Sequence, residues 1–136
     1  MIKRNFLLLL TLFFLLMICT SCGGDSTVTS TAVSGSVLEL GYEIDENLEV
    51  VAAQTNFKAG EDFYFSFFNN EPFGGNSVTV QLIESSSDEI LADGVYEVDP
   101  EWDTIADMIW FSDPGKYKVV IKVGEQTRAT QEVIIE

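Results

Sequence analysis

The groups able to do chemistry in this chain are few in kind. Its 136 residues include 22 Asp and Glu, 7 Lys and Arg, two Cys and no His, for a net charge of −15. Without imidazole, a Ser or Cys nucleophile lacks its usual general base. Zinc sites are built on His and Cys, and only Cys19 and Cys22 are on offer. Asp99, Glu101 and Asp103 alternate along the chain, with Asp107 beyond. Hard oxygen donors at such spacing can converge on calcium in a loop. However, Thr104 stands where an EF-hand requires Gly, and Trp110 where it requires the bidentate Glu. The three acids are therefore read as a solvated face, and they are the residues to which calcium would go if it bound. Neither a GxxxxGK[ST] nor a GxGxxG phosphate loop occurs. Carboxylates suited to glycoside hydrolysis are abundant, but abundance singles out no pair. Nucleic acid is not expected as a partner, because phosphate binding needs clustered Lys and Arg. Aromatic side chains are the remaining candidates: Trp102, Trp110 and Phe73 could contact a ligand or a partner.

The N-terminus offers a different chemistry. Lys3 and Arg4 precede an apolar run, Phe6 to Ile18, broken only by Thr11. Its 13 residues fall short of the about 20 needed to span a bilayer, and the length suits a cleaved export signal. Cys19-Thr20-Ser21-Cys22-Gly23-Gly24-Asp25 follows. This order resembles the lipobox of bacterial lipoproteins, with Cys22 as the residue acylated and left at the new N-terminus. Cys19 occupies the upstream place where that family usually has Leu. The resemblance implies removal of residues 1–21, a covalent lipid on Cys22 and stable attachment to a membrane. Gly23, rather than Asp, after Cys22 implies sorting to the outer membrane, and Asp25 resembles the acidic surface-export signals of Bacteroidetes lipoproteins. Loss of Lys3 and Arg4 would deepen the net charge to −17. No cofactor beyond the lipid is expected. With Cys19 removed and Cys22 acylated, no disulfide remains to staple the fold.

Residues 22–36 are rich in Ser and Thr without apolar periodicity, which predicts a flexible tether. From Val37 onward the apolar pattern has a period of two. Strands are predicted around Val37–Ile44, Leu48–Gln54, Phe63–Phe68, Val78–Ile83, Tyr117–Val123 and Gln126–Ile135. Phe63, Phe65 and Phe67 share one face of their strand, and Tyr64 and Phe68 share the other. One sheet face cannot bury both sets, so either loops cover the second or its rings are exposed. Turn chemistry falls between the runs, at Lys58–Gly60, Asn69–Pro72, Gly74–Asn76, Ser85–Asp88, Asp93–Gly94, Asp113–Gly115 and Gly124. Residues 103–109 admit a short helical turn. The pattern predicts one all-β domain over residues 37–136, an antiparallel sandwich of about seven or eight strands.

Asp113-Pro114-Gly115-Lys116-Tyr117-Lys118-Val119 resembles the D-x-G-x-Y-x-C stretch of immunoglobulin-like domains. There the Gly turns into a strand and the Tyr hydroxyl bonds back to upstream backbone, a tyrosine corner. The resemblance gives Asp113, Gly115 and Tyr117 that structural role. Val119 stands where antibody domains place their second Cys, so the likeness is to a disulfide-free bacterial immunoglobulin-like sandwich. Fold alone implies no activity. The expectation is a non-catalytic, lipid-anchored accessory of the cell envelope that engages a protein partner or joins an envelope complex. The competing expectation is a surface module that binds a glycan or another ligand.

Overall fold

The computed structural model describes residues 28–136; the apolar leader and Cys22 lie outside the described residues. Nine strands form two sheets, and no helix occurs among the described residues. They are β1 (Ser30–Ala32), β2 (Val37–Gly41), β3 (Asn56–Phe57), β4 (Phe63–Phe68), β5 (Ser77–Glu84), β6 (Ile90–Glu97), β7 (Thr104–Ile109), β8 (Gly115–Val123) and β9 (Gln126–Ile135). The larger sheet runs β1-β9-β8-β5-β6, and β3 also pairs with β9. The smaller sheet runs β2-β4-β7. All pairings are antiparallel except that of β3 with β9. The all-β sandwich is the fold class that the alternation predicts. The count exceeds eight because β1 and β3, only three and two residues long, add to the larger sheet.

The core forms where alternating apolar side chains from the two sheets meet. Val78 and Val80 of β5, Val119 and Ile121 of β8, and Ala129, Val133 and Ile135 of β9 come from the larger sheet. Leu38, Leu40, Phe63, Phe65, Phe67, Ile105 and Ile109 come from the smaller one. Rings stack through this layer. Phe57 lies on Phe63 at 3.8 Å between centroids, and Phe111 lies on Tyr117 at 4.3 Å. Phe63 and Phe111, 6.2 Å apart, connect the two pairs. The crowding of aromatics between residues 57 and 73 is thus largely core. On the opposite face of β4, Tyr64 is half-buried and Phe68 is exposed.

Four expectations change. Residues 48–54 are not a strand. Leu48 adopts φ 65°, and the Asp45 carboxylate accepts the N–H groups of Asn47 and Glu49, so residues 45–49 make the tip of a small hairpin and residues 50–54 return beside residues 40–44 with a single bridge, Ile44 to Val50. The N–H bonds, Glu49's foremost, hold the Asp45 carboxyl below its ordinary range. Residues 30–32, Ser/Thr-rich and read as tether, instead extend the larger sheet as β1 against β9. Asp93–Gly94 is not a turn: both residues pair with β5 inside β6. Residues 104–109 form strand β7 rather than a helical turn, in full register with β4.

Candidate functional site

The two sheets differ in width, and the difference creates a site. The smaller sheet has three strands, whereas the larger continues one strand further, to β6. β6 packs chiefly on β5, and its residues are exposed or half-buried throughout. Its register on β5 sets Ala92, Gly94 and Tyr96 beside Leu82, Val80 and Val78, on the face that looks toward the smaller sheet. A β-bulge between Leu82 and Ile83 ends that register and turns Leu91 to the same side. Ala92 and Gly94 are small where a closed sandwich would place large apolar groups.

The outcome is an open-sided groove of about 760 Å³ between the free edges of β6 and β7. Leu82, Leu91, Tyr96, Met108, Trp110 and Tyr117 supply most of its apolar wall. Leu91, Met108 and Trp110 are exposed, and Trp110 leaves 57% of its surface open to solvent. Among the described residues, Glu84 and Asp113 are the only charged side chains that line it, and both are acidic. At one end Tyr96 packs edge-on against Phe65, with ring centroids 6.0 Å apart. Burial and the neighbouring Asp107 carboxylate push the Tyr96 hydroxyl up to about 12.

The edge of β7 has a definite chemistry. The Asn69 N–H donates to the Asp103 carbonyl at 2.8 Å. This fixes which positions bond to β4, so Ile105, Asp107 and Ile109 point their backbone groups inward along the sheet. Thr104, Ala106 and Met108 therefore present theirs to the free edge. The Met108 N–H is capped by the Asp107 carboxylate at 2.8 Å. A charge on an edge strand is a common guard against unwanted strand pairing.

The sequence-derived candidates are not brought into one place. Trp110 lines the groove, and Tyr117 forms part of its floor. The Tyr117 hydroxyl donates to the Asp113 carbonyl at 2.9 Å, which closes the turn before β8. Burial foremost, then the charges of Asp113 and Glu84, raise its pKa. A Cβ on Gly115 would sit 3.2 Å from that ring, a tight contact that would make the ring give by a few tenths of an ångström. Trp102 is 56% exposed but precedes β7 and is not part of the groove. Phe73 is a correction: it is 6% exposed and lies beside Phe67 in the core, because the loop after β4 folds it inward, so it has no surface for a ligand. Asp99 accepts the Glu101 N–H at 2.9 Å, and Asp103 accepts the Thr104 hydroxyl at 2.8 Å, each within its own turn. Among the described residues no group of three or more potential ligands is placed to hold a metal ion.

The sequence reading missed the groove, because β6 reads as a polar turn flanked by short apolar pairs. Lys116, Lys118 and Lys122 all project from the outer face of β8, away from the groove. Lys118 pairs there with Asp88 at 2.8 Å.

No family model matches the chain, and no curated protein matches it. Solved structures do. An immunoglobulin-like protein from Pseudomonas aeruginosa is similar over 82% of this chain and 100% of its own, with 12% identity and a TM-score of 0.53. A protein with an immunoglobulin-like β-sandwich fold from Bacteroides vulgatus is similar over 81% of this chain and 100% of its own, at 14% identity and a TM-score of 0.41. The soluble domain of PmoD from a Methylocystis species is similar over 74% and 90%, at 11% identity and a TM-score of 0.46. The chain has an immunoglobulin-like β-sandwich fold.

Proposed function

We propose that this chain is a non-catalytic, lipid-anchored accessory of the cell envelope, held at the outer membrane by acylated Cys22, that engages a protein partner through the groove between β6 and β7. The observation that carries this reading is the groove itself, an apolar hollow with Trp110, Met108 and Leu91 left in water at an unclosed side of the sandwich. Exposed apolar surface rimmed by polar groups suits protein association. Ser112 in the groove's lining donates to the Asp113 carboxylate at 2.6 Å, and with no His in the chain that hydroxyl lacks its usual general base.

The direction of attachment favours the same reading. The chain enters the fold at β1, on the far side of the larger sheet from β6. Four strand spacings of about 4.8 Å separate the two, roughly 19 Å. An anchor at Cys22 would pull on the β1 side and leave the groove accessible. Cys22→Ala is expected to move the protein from the membrane to the soluble fraction while leaving its melting curve unchanged. Recovery of that variant in membranes would refute the anchor.

The partner reading is tested in cells by placing a photo-crosslinking amino acid at Met108 or Lys122. Crosslinks to one envelope protein from position 108, with none from position 122, are expected. Equal labelling from both faces would remove the groove from the account. A glycan reading is favoured by one observation, the solvent exposure of Trp110 and Trp102, the first in a lining it shares with Glu84 and Asp113. It requires polysaccharide to quench Trp fluorescence and Trp110→Ala to abolish that quenching.

A further inference from the structure

We propose that the groove is completed by strand addition: an extended, basic segment of the partner pairs with the free edge of β7 as the fourth strand of the smaller sheet. This rests on the groove being a protein-binding site. Three observations specify the occupant.

The first is the unequal width of the sheets. β2-β4-β7 ends at β7, while β6 of the opposite sheet extends past it with no strand facing it among the described residues. Constant-type immunoglobulin sandwiches carry a fourth strand at the equivalent edge. A strand laid beside β7 would lie over Ala92 and Gly94, and its alternate side chains would enter the hollow that these two residues leave. The second is the set of edge-facing backbone groups at Thr104, Ala106 and Met108, spaced to pair with an extended chain, of which the Met108 N–H is held by the Asp107 carboxylate. Two other edges of the sandwich are better covered, and β6, whose edge is also free, would add a strand that widens the larger sheet rather than one that roofs the hollow. β9 is flanked by β1 and β3, and the Leu40 carbonyl of β2 accepts the Gln54 N–H at 2.8 Å.

The third is charge. Glu84 and Asp113 line the groove, Asp107 stands at its edge, and no cation among the described residues lines it. Lys or Arg on the incoming strand would pair with these carboxylates. Asp107 then has a double part. It covers the Met108 N–H in the empty state, which discourages indiscriminate pairing. A Lys beside it would draw the carboxylate away and free that N–H for the partner's carbonyl. The acidic rim thus selects against the chain's own strands, since a domain this acidic repels a second copy.

The test uses the full chain in detergent and a fluorescein-labelled octapeptide of alternating Val and Lys, read by anisotropy. Saturable binding that weakens with salt is expected, with at least tenfold weaker binding of the Val–Glu counterpart. Two further Val–Lys peptides carry N-methyl groups on one or the other alternate set of amides. One should lose at least tenfold in affinity and the other should not, because only one edge of the peptide faces β7. Gly94→Leu should also cost at least tenfold by filling the hollow. Its backbone lies outside the left-handed region, and a Cβ there meets only the Tyr96 ring at 3.4 Å and the Val80 carbonyl at 3.8 Å. If both methylated peptides bind like the parent while Gly94→Leu blocks binding, strand addition is wrong and the groove reading stands. If Gly94→Leu binds normally, both fall. No binding of the Val–Lys peptide overturns the basic-strand assignment.

Discussion

Replacing Tyr117 by Phe isolates one hydroxyl in the turn that leads into β8. The ring is buried and stacked on Phe111 at 4.3 Å, and Phe would keep that contact. Only the 2.9 Å bond to the Asp113 carbonyl is lost. Asp113 lies on an exposed turn, so water can reach its carbonyl once the hydroxyl has gone. The cost is then the net value of one hydrogen bond, about 1 kcal/mol, rather than the larger cost of a stranded buried acceptor. For a domain of this size, that corresponds to a Tm decrease of about 3–5 °C. Tyr42→Phe is the internal control. Its hydroxyl donates to exposed Glu61 at 3.1 Å and accepts the Lys58 N–H at 3.2 Å; both partners are exposed and water can replace the hydroxyl, so the change should cost less than about 0.5 kcal/mol. Thermal melts followed by circular dichroism at neutral pH separate the two. If Tyr117→Phe melts within about 1 °C of the parent, or if both variants shift equally, then the hydroxyl does not hold this turn and Gly115 with Pro114 suffices.

Phe63→Ala should be far more costly, because Phe63 is fully buried and stacked between Phe57 and Phe111. A loss of about 3–5 kcal/mol is expected in urea unfolding, and a loss below about 1.5 kcal/mol would mean that the ring stack is not the centre of the core. Stability should also fall in alkali. The Tyr96 hydroxyl titrates at about 12 in the folded protein against an ordinary tyrosine value of 10.0, so folding tightens its hold on the proton. The contribution is complete below pH 10 and is lost as pH rises through 12. Full shielding would make it about 2.7 kcal/mol, and partial access to solvent reduces that to the order of 1 kcal/mol. Tyr96→Phe should flatten this limb of the pH–stability curve, and an unchanged slope would show that Tyr96 is not its source.

The architecture was legible wherever alternation was strict. β4 and β8 put Phe63, Phe65 and Phe67, and Tyr117, Val119 and Ile121, on their buried faces, as period two requires. Legibility failed where tertiary context set the backbone. Leu48 at φ 65° breaks an apparent strand, and no residue type announced it, since a left-handed Leu costs on the order of 1–2 kcal/mol. There the bonds to the Asp45 carboxylate hold the turn. Asp93–Gly94 has the composition of a hairpin turn, yet it lies in β6, because Val80 and Gln81 offer an edge to pair with. The groove was hidden for the same reason. It depends on which strand lacks a neighbour, and a pairing partner is not a local property of sequence.

Edge management connects the fold to its use. A sandwich has four outer edges, and each exposes backbone groups that seek a partner. Here one edge is protected by β1 and β3, and the β2 edge is partly covered by the segment around Gln54. The remaining two, β6 and β7, lie on the same side, and charge guards both: Asp93 and Glu97 on β6, Asp107 on β7. Charge deters a strand of like sign but not one of opposite sign. An edge guarded by carboxylates alone, above a hollow with apolar walls, is therefore closed to copies of this acidic chain and open to a basic one. The same residues that oppose self-pairing would define the partner, so neutralising Asp107 should at once raise self-association and weaken binding of a basic peptide. A variant that does neither would show that Asp107 serves only to cap Met108.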